Sequence, residues 1–391
     1  MTIETPRPGL EAARTRQAGP ETVGWWRSKR CGVRPSTAAI LSPLLLLMAC
    51  ESPNREPTQS VLGSSIKSDE DVVFFPTNAA LVEGQWRIPV HGWIFEPEDD
   101  SSRRELVIKA LGSGIDSLPA SGSNALFEER MRFFLVDNER RKRLAVEAAG
   151  QSFLLSPSES NGHFRGEITT TGEAAHWVSY RAHGDDSRIF EGHARLLAPE
   201  GLSVISDIDD TIKVSEVLNK QRLAERTFLL PFEAVPGMAS VYSAWQAQEA
   251  AAFHYVSASP WQLYTPLAEF VDGQDFPRGT IHLRDFRLKD SSGLEFIGPS
   301  RQYKVETITG LFESFPQRQF VLVGDSGEAD PEVYAEIARN HRDQVRHIFI
   351  RRVDGAENSN DRFDSAFAGL TQDLWTIFEQ PAEIEALGEG Q

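Results

Sequence analysis

The chain has 391 residues, 40% of them hydrophobic and 9% aromatic, with 40 Lys plus Arg against 57 Asp plus Glu and a formal charge of −17. That composition supplies apolar material for roughly two domains and excludes wholesale disorder and a multi-pass membrane protein. The acidic balance argues against a nucleic-acid partner, which needs a basic stripe to release counterions from phosphates. With only Cys31 and Cys50, it also argues against a disulfide framework or a thiolate zinc site.

At the amino end, Arg27, Lys29, Arg30 and Arg34 precede an apolar run over 38–49 that stops at Cys50. This is the order of an export leader, and the run is short of the roughly 20 residues a spanning helix needs. Leu47-Met48-Ala49-Cys50 resembles a bacterial lipoprotein signal. The resemblance implies that residues 1–49 are a removable signal peptide and that the chain is an exported lipoprotein held at a membrane by lipid on Cys50. With Glu51 rather than Asp next in line, the implied location is the periplasmic face of the outer membrane in a Gram-negative host. The alternative is an ordinary secretory leader in which Cys50 is incidental. Residues 50–70, rich in Pro, Ser and charge, read as a flexible tether.

From 71 to 198 the pattern predicts short strands at 72–75, 86–95, 106–111, 164–168, 177–181 and 189–196, with one helical patch at 126–134. This is the signature of a small, mostly β, sandwich-like domain. Its histidines, His91, His163, His176 and His193, are scattered and read as surface or hydrogen-bonded core residues. From about 199 to 380, predicted strands at 202–206, 252–257, 320–324 and 347–351 alternate with helices at 238–248, 261–271, 303–315 and 331–340. Such alternation predicts an α/β domain: a parallel sheet with helices on both faces and ligands beyond the carboxyl ends of its strands. Phe363, Phe367, Leu370, Leu374 and Phe378 suggest a further amphipathic helix packed on the core, and 381–391 reads as an acidic tail.

Chemistry concentrates at those strand ends. Asp207-Ile208-Asp209-Asp210-Thr211 follows the strand at 202–206, and carboxylates this close repel unless a cation or a shared proton relieves them. A solvated acidic turn and a calcium loop are the competing readings, although the further oxygen ligands of a calcium loop are not evident. Ser257 ends the next strand, Lys304 opens an amphipathic helix, and Gly324-Asp325-Ser326-Gly327-Glu328-Ala329-Asp330-Pro331 follows the strand at 320–324. Taken singly, Ser257 is equally a turn hydroxyl, Lys304 a surface lysine, and Asp330 before Pro331 a helix N-cap.

The ordered set Asp207-x-Asp209-x-Thr211, Ser257, Lys304 and Gly324-Asp325-x-x-x-x-Asp330 resembles the haloacid dehalogenase-like phosphohydrolases. The strings at 206–213, 236–238, 253–261 and 324–328 resemble more narrowly the catalytic domain of the fungal actin-patch phosphatidate phosphatases and their bacterial relatives. That resemblance implies a Rossmann-like haloacid dehalogenase fold and hydrolysis of phosphatidate through an aspartyl-phosphate. Asp207 would be the nucleophile, Asp209 the acid and base, and Lys304 a catalytic and phosphate-binding cation, with Thr211 and Ser257 as phosphate-binding hydroxyls. Asp207, the Asp209 carbonyl and Asp325 would hold Mg2+, with Asp330 beside them as a metal-site residue or helix cap. A small cover over 213–232 implies an open site suited to a phospholipid at a membrane surface, with Lys213, Lys220, Arg222 and Arg226 as an anionic-surface contact or simply a charged helix. Two rivals remain: a phosphatase of another phospholipid or soluble phosphomonoester, and a phosphatidate-binding module without catalysis.

Overall fold

Apolar residues alternate along the first segments and so build sheet. A computed structural model describes residues 64–97, 125–285 and 300–386. Strands β1 (Asp71–Phe75), β2 (Thr77–Val82) and β3 (Gln85–Glu96) are followed by helix α1 (Ala125–Met131) and by β4 (Asp137–Asn138), β5 (Ala145–Ala148) and β6 (Gln151–Leu154). Then come β7 (His163–Thr170), β8 (Trp177–His183) and β9 (Ile189–Leu196). Along β3, Trp86, Ile88 and Val90 are buried while Gln85, Arg87 and Pro89 are exposed, which is the two-residue period of a half-buried strand. These strands form a nine-stranded sheet in the order β1-β3-β2-β9-β8-β5-β6, with β4 and β7 also on β3. Val72, Phe74, Ile88, Ile94, Val146, Tyr180, Phe190 and Ala194 share its core. The helical patch expected at 126–134 is α1 with a short 3-10 turn behind it. The strand expected at 106–111 lies outside the described residues, as do the leader and Cys50.

Beyond residue 199 the elements are β10 (Leu202–Asp207), α2 (Lys220–Phe228), α3 (Met238–Glu249), β11 (Ala252–Pro260), α4 (Tyr264–Gly273) and β12 (Gly279–Arg284). They continue with α5 (Arg301–Ser314), β13 (Gln319–Asp325), α6 (Asp330–Asn340), β14 (Val345–Arg351), α7 (Asn360–Ala366) and β15 (Trp375–Phe378). The six strands pair in parallel, in the order β12-β11-β10-β13-β14-β15. The expected parallel α/β sheet is therefore present. Ile308, Phe312, Val333 and Ile337 of α5 and α6 pack with Ile205, Leu322, Ile348 and Ile350 on one face. Tyr242 and Trp245 of α3 meet Phe253 and Phe349 on the other. The strand order reverses direction between β10 and β13, and in open sheets of this kind ligands bind at that switch point. Their carboxyl ends carry Asp207 and Asp325.

The segment at 363–378 departs from the expected helix. Only Asn360–Ala366 is α-helical; Gly369 takes a left-handed φ of +82°, a 3-10 turn follows at Gln372–Leu374, and Trp375–Phe378 joins the sheet beside β14. The apolar residues at 363, 367, 374 and 378 are buried as expected, but by a helix and an edge strand. Packing also runs past 380, because Ile384 is fully buried and Trp245 Nε1 donates to the Glu385 carbonyl.

The β-rich and α/β parts belong to one compact unit. Phe75 stacks on Trp261 at 4.1 Å between ring centroids, Asn78 Nδ2 reaches the buried His254 and Thr280, and Arg278 lies over the Trp177 ring. The Arg318 guanidinium donates to the carbonyls of Ala198, Glu200 and Leu202 and so fixes the entry to β10.

Candidate active site

Every residue of β10 is buried, and the chain turns at once beyond Asp207. Asp210 makes that turn possible: it takes a left-handed φ of +51°, and its carboxylate accepts the N–H groups of Ser215, Glu216 and Val217 at 2.7–2.9 Å. Aspartate tolerates this backbone region better than most residues because its short side chain closes such local bonds. Arg351, at the end of β14, donates to the Asp210 carbonyl at 2.6 Å and ties the loop to the sheet.

The fold brings Asp207, Asp209, Ser257, Lys304, Asp325 and Asp330 into one buried group, and Thr211, two residues beyond Asp209, is buried as well. Lys304 Nζ lies 2.7 Å from Asp207 Oδ1, 2.8 Å from Glu328 Oε2 and 2.5 Å from Asp330 Oδ1. Its approach to Asp207 is an ion pair without hydrogen-bond alignment, so both Asp207 oxygens are left without a hydrogen-bond partner. Burial first, and the negative charges of Asp330, Glu328 and Asp209 after it, push the Asp207 carboxyl well above the usual carboxylate range against the opposing pull of Lys304. Burial and its acidic neighbours raise Asp325 in the same way. Burial alone would lower Lys304, but the three carboxylates around it raise it, so it is held as a cation.

Asp209 is treated differently. Lys213 Nζ stands 2.8 Å from its Oδ1, Ser215 Oγ donates to the same oxygen at 2.7 Å, and Ser257 Oγ donates to Oδ2 at 2.9 Å. Burial would raise this carboxyl, yet the Lys213 charge and these hydrogen bonds bring it below its ordinary value. Ser257 is thus bonded to Asp209 and to the Ser259 N–H, while the Thr211 hydroxyl is buried without a partner.

Asp207, Asp325 and Asp330 each bring one carboxylate oxygen within 4.8 Å of the others. Asp330 has both oxygens engaged, one by Lys304 and one by the Asp325 N–H at 3.2 Å. Asp325 Oδ1 accepts from the N–H groups of Gly327 and Glu328, but Oδ2 has no partner. The oxygens of this trio that accept no hydrogen bond therefore belong to Asp207, whose Oδ1 is ion-paired with Lys304, and to Asp325. All-oxygen donors surrounded by surplus negative charge fit a hard divalent cation such as Mg2+. Among the described residues, the buried carboxylates Asp207, Asp209, Asp325, Glu328 and Asp330 meet two ammonium groups, Lys213 and Lys304, a balance of charge that a divalent cation would suit. Asp330 is not a helix cap: the N-cap of α6 is Ala329, and the Asp330 side chain points to Lys304 and Asp325 instead.

Lys213, Ser215 and Glu328 were not legible as site residues. Lys213, expected at an anionic surface, is 2% exposed and paired with Asp209. The remaining basic surface is also mostly answered internally, since Arg222 pairs with Glu216 and Glu225, and Arg226 with Glu216 and Glu233. The available signal for Lys213 was a lysine inside the apolar run around Ile212 and Val214, four residues beyond Asp209. The segment expected to form a small cover, 213–232, contains one helix, α2, capped at its start by the Asn219 side chain. Arg130 of α1 closes the far end of α2, donating to the carbonyls of Thr227 and Leu230 at 2.7 and 2.8 Å.

Comparison with known proteins reaches the same segment. Residues 202–352 match the family model described as the catalytic domain of phosphatidate phosphatase APP1. An uncharacterised protein of Schizosaccharomyces pombe is 34% identical over 162 residues, 40% of this chain and 26% of that one. The phosphatidate phosphatase APP1 of Saccharomyces cerevisiae is 33% identical over 194 residues, 49% of this chain and 32% of that protein. The chain thus matches about a quarter to a third of the length of these relatives. Among solved structures, a ferredoxin-NADP+ reductase from Plasmodium falciparum with 2'P-AMP covers 73% of this chain and 95% of its own at 7% identity and a TM-score of 0.16, too low to bear on the fold.

These relatives overturn the expected location. They are fungal proteins, the named one a phosphatidate phosphatase, and not exported bacterial lipoproteins anchored through a residue such as Cys50. Among the described residues no helix is long and apolar enough to cross a membrane.

Proposed function

We propose that the chain is a Mg2+-dependent phosphatidate phosphatase of the haloacid dehalogenase-like type, releasing diacylglycerol and phosphate through an aspartyl-phosphate. The observation that carries this reading is a buried Asp207 at the carboxyl end of β10 whose oxygens accept no hydrogen bond, one of them ion-paired with Lys304, across the sheet switch point from Asp325. The match of 202–352 to a phosphatidate phosphatase catalytic domain supports the substrate.

Asp207 attacks phosphorus in line, the bond to the glycerol oxygen breaks, and Asp209 gives that oxygen its proton. Water then attacks the aspartyl-phosphate, Asp209 takes a proton from it, and phosphate leaves Asp207 free. Asp209 is a carboxylate without substrate, as the second half requires. A phosphate dianion arriving beside it raises its proton affinity, so that it takes up a proton from solvent before the first half and regains one from the attacking water in the second. Lys213, Ser215 and Ser257 keep its carboxylate from swinging away. Lys304, pinned by Glu328 and Asp330, sets a positive charge beside the nucleophile for the transferring oxygens. Asp207, Asp325 and the Asp209 carbonyl would hold the Mg2+, which when bound neutralises charge on the phosphoryl oxygens.

The test is release of phosphate from a panel of phosphatidate, lysophosphatidate and soluble phosphomonoesters, run on wild type and Asp207→Asn with and without EDTA. Phosphatidate should be preferred, and both chelation and the substitution should abolish turnover. Activity that survives either one overturns the mechanism, preference for a soluble ester overturns the substrate, and vesicle binding without turnover returns the chain to a lipid-binding module.

A further inference from the structure

Arg362 lies in α7, ten residues beyond the segment matched by the family model. Its side chain nevertheless reaches into the loop between Asp325 and Asp330. Nη1 donates to the Ser326 carbonyl at 2.7 Å and to the Glu357 carbonyl at 3.0 Å, and Nη2 donates to the Glu328 carbonyl at 2.8 Å. Nε and Nη2 grip the Glu332 carboxylate at 2.9 and 3.1 Å. A guanidinium has five N–H donors in a rigid plane, and this geometry employs both of its edges.

The peptide joining Ser326 to Gly327 shows what the contact achieves. Its carbonyl faces Arg362, and its N–H, on the opposite side of the same plane, donates to Asp325 Oδ1 at 2.6 Å. A peptide is planar, so holding the oxygen fixes the direction of the hydrogen. The positive charge on the oxygen also polarises the peptide and strengthens the bond its N–H makes. With Oδ1 fixed this way, Oδ2 is the oxygen left without a hydrogen-bond partner, on a carboxylate that brings one oxygen within 4.8 Å of those of Asp207 and Asp330.

We propose that Arg362 is a positioning residue for the divalent-cation site, acting through the 326–327 peptide to aim the Asp325 carboxylate. The inference rests on the metal-dependent reading above. Groups that orient a metal-binding carboxylate commonly matter by about 10- to 100-fold in affinity. Lysine retains the charge but not the planar fork, so it restores part of the effect.

Full-length wild type, Arg362→Met, Arg362→Lys and Arg339→Met would be titrated with Mn2+ by electron paramagnetic resonance, without substrate, and their thermal melts recorded. Arg339 donates to carbonyls of Ala366 and Ala368 near the end of the same helix but not to the loop, so its loss reports damage to α7 alone. The expected result is Mn2+ binding weakened roughly 10- to 100-fold in Arg362→Met, by less in Arg362→Lys, and unchanged in Arg339→Met. In the phosphatase assay, the Mg2+ concentration for half-maximal rate should rise more than kcat at saturating Mg2+ falls. Wild-type affinity in a folded Arg362→Met overturns the inference; if that variant does not fold, wild-type affinity in Arg362→Lys does so. Equal weakening in Arg339→Met also overturns it. Absence of Mn2+ binding by wild type overturns the metal reading itself, which is a separate failure.

Discussion

Lys213 Nζ stands 2.8 Å from Asp209 Oδ1, with both residues buried and the Phe232 ring 5.0 Å from the ammonium. Removing the cation leaves a buried carboxylate with only hydroxyl donors. Lys213→Met should therefore lose about 3–5 kcal/mol of stability at pH 7, the usual result of breaking a buried pair. The folded Asp209 lies below its ordinary value in the wild type, so its contribution is present above the unfolded pKa and is lost as pH falls through the folded one. In the variant, burial raises Asp209, and protonation relieves it earlier. Urea unfolding should accordingly show a deficit that narrows as the pH is lowered from 7 to 5.

Asp207→Asn should separate stability from activity. The wild-type carboxylate is buried among Asp330, Glu328 and Asp209, and Lys304 keeps two other partners without it. Loss of one repelling charge should raise the melting temperature in EDTA while turnover disappears. Mg2+ should raise the wild-type melting temperature by mass action and have much less effect on the variant. A variant that melts below wild type in EDTA would contradict the electrostatic account.

Arg130→Ala should loosen the cover. The guanidinium holds the Thr227 and Leu230 carbonyls at the end of α2 and lies 3.9 Å over the Phe232 ring, and the residue is 4% exposed. Two lost charge-assisted bonds cost roughly 3 kcal/mol or more. Proteolysis should cut within 220–230 sooner than in wild type, with global unfolding shifted less than that local opening.

Acid should destabilise the chain partly through His163. Burial first and the Arg165 charge second hold it down to about 3, and its ring nitrogen bonds His91, which is also buried and lowered. The unfolded imidazole titrates near 6.5, so unfolding takes up a proton between these values. The stabilisation is complete above about pH 6.5 and is lost toward pH 3 at about 1.4 kcal/mol per pH unit for each such histidine. In His163→Gln the slope of unfolding free energy against pH between 6 and 4 should be shallower by about one proton.

Much of the candidate site was readable because strand ends are local. Asp207, Ser257 and Asp325 close or nearly close apolar runs of strand length, and in a parallel sheet the ends of successive strands meet wherever the chain places the intervening helices. The order of residues therefore foretold the group of acids, the lysine and the hydroxyl, along with the alternation of strands and helices. What a single run of residues could not decide was the direction of each side chain once gathered. Lys213 and Arg222 look alike in one dimension, yet one is buried against Asp209 and the other is paired at the surface. Ser257 could be placed at the site but not bonded to Asp209, and Asp330 next to Pro331 has the pattern of a cap although its carboxylate serves Lys304 and Asp325. The residues at 363–378 carried a helical period, but pairing with β14 offered backbone hydrogen bonds that a free helix face cannot supply. Arg362 was invisible for the same reason: besides Glu332, its partners are main-chain carbonyls, which every residue possesses, and only folding turns Ser326 and Glu328 of one loop and Glu357 of another segment toward one guanidinium.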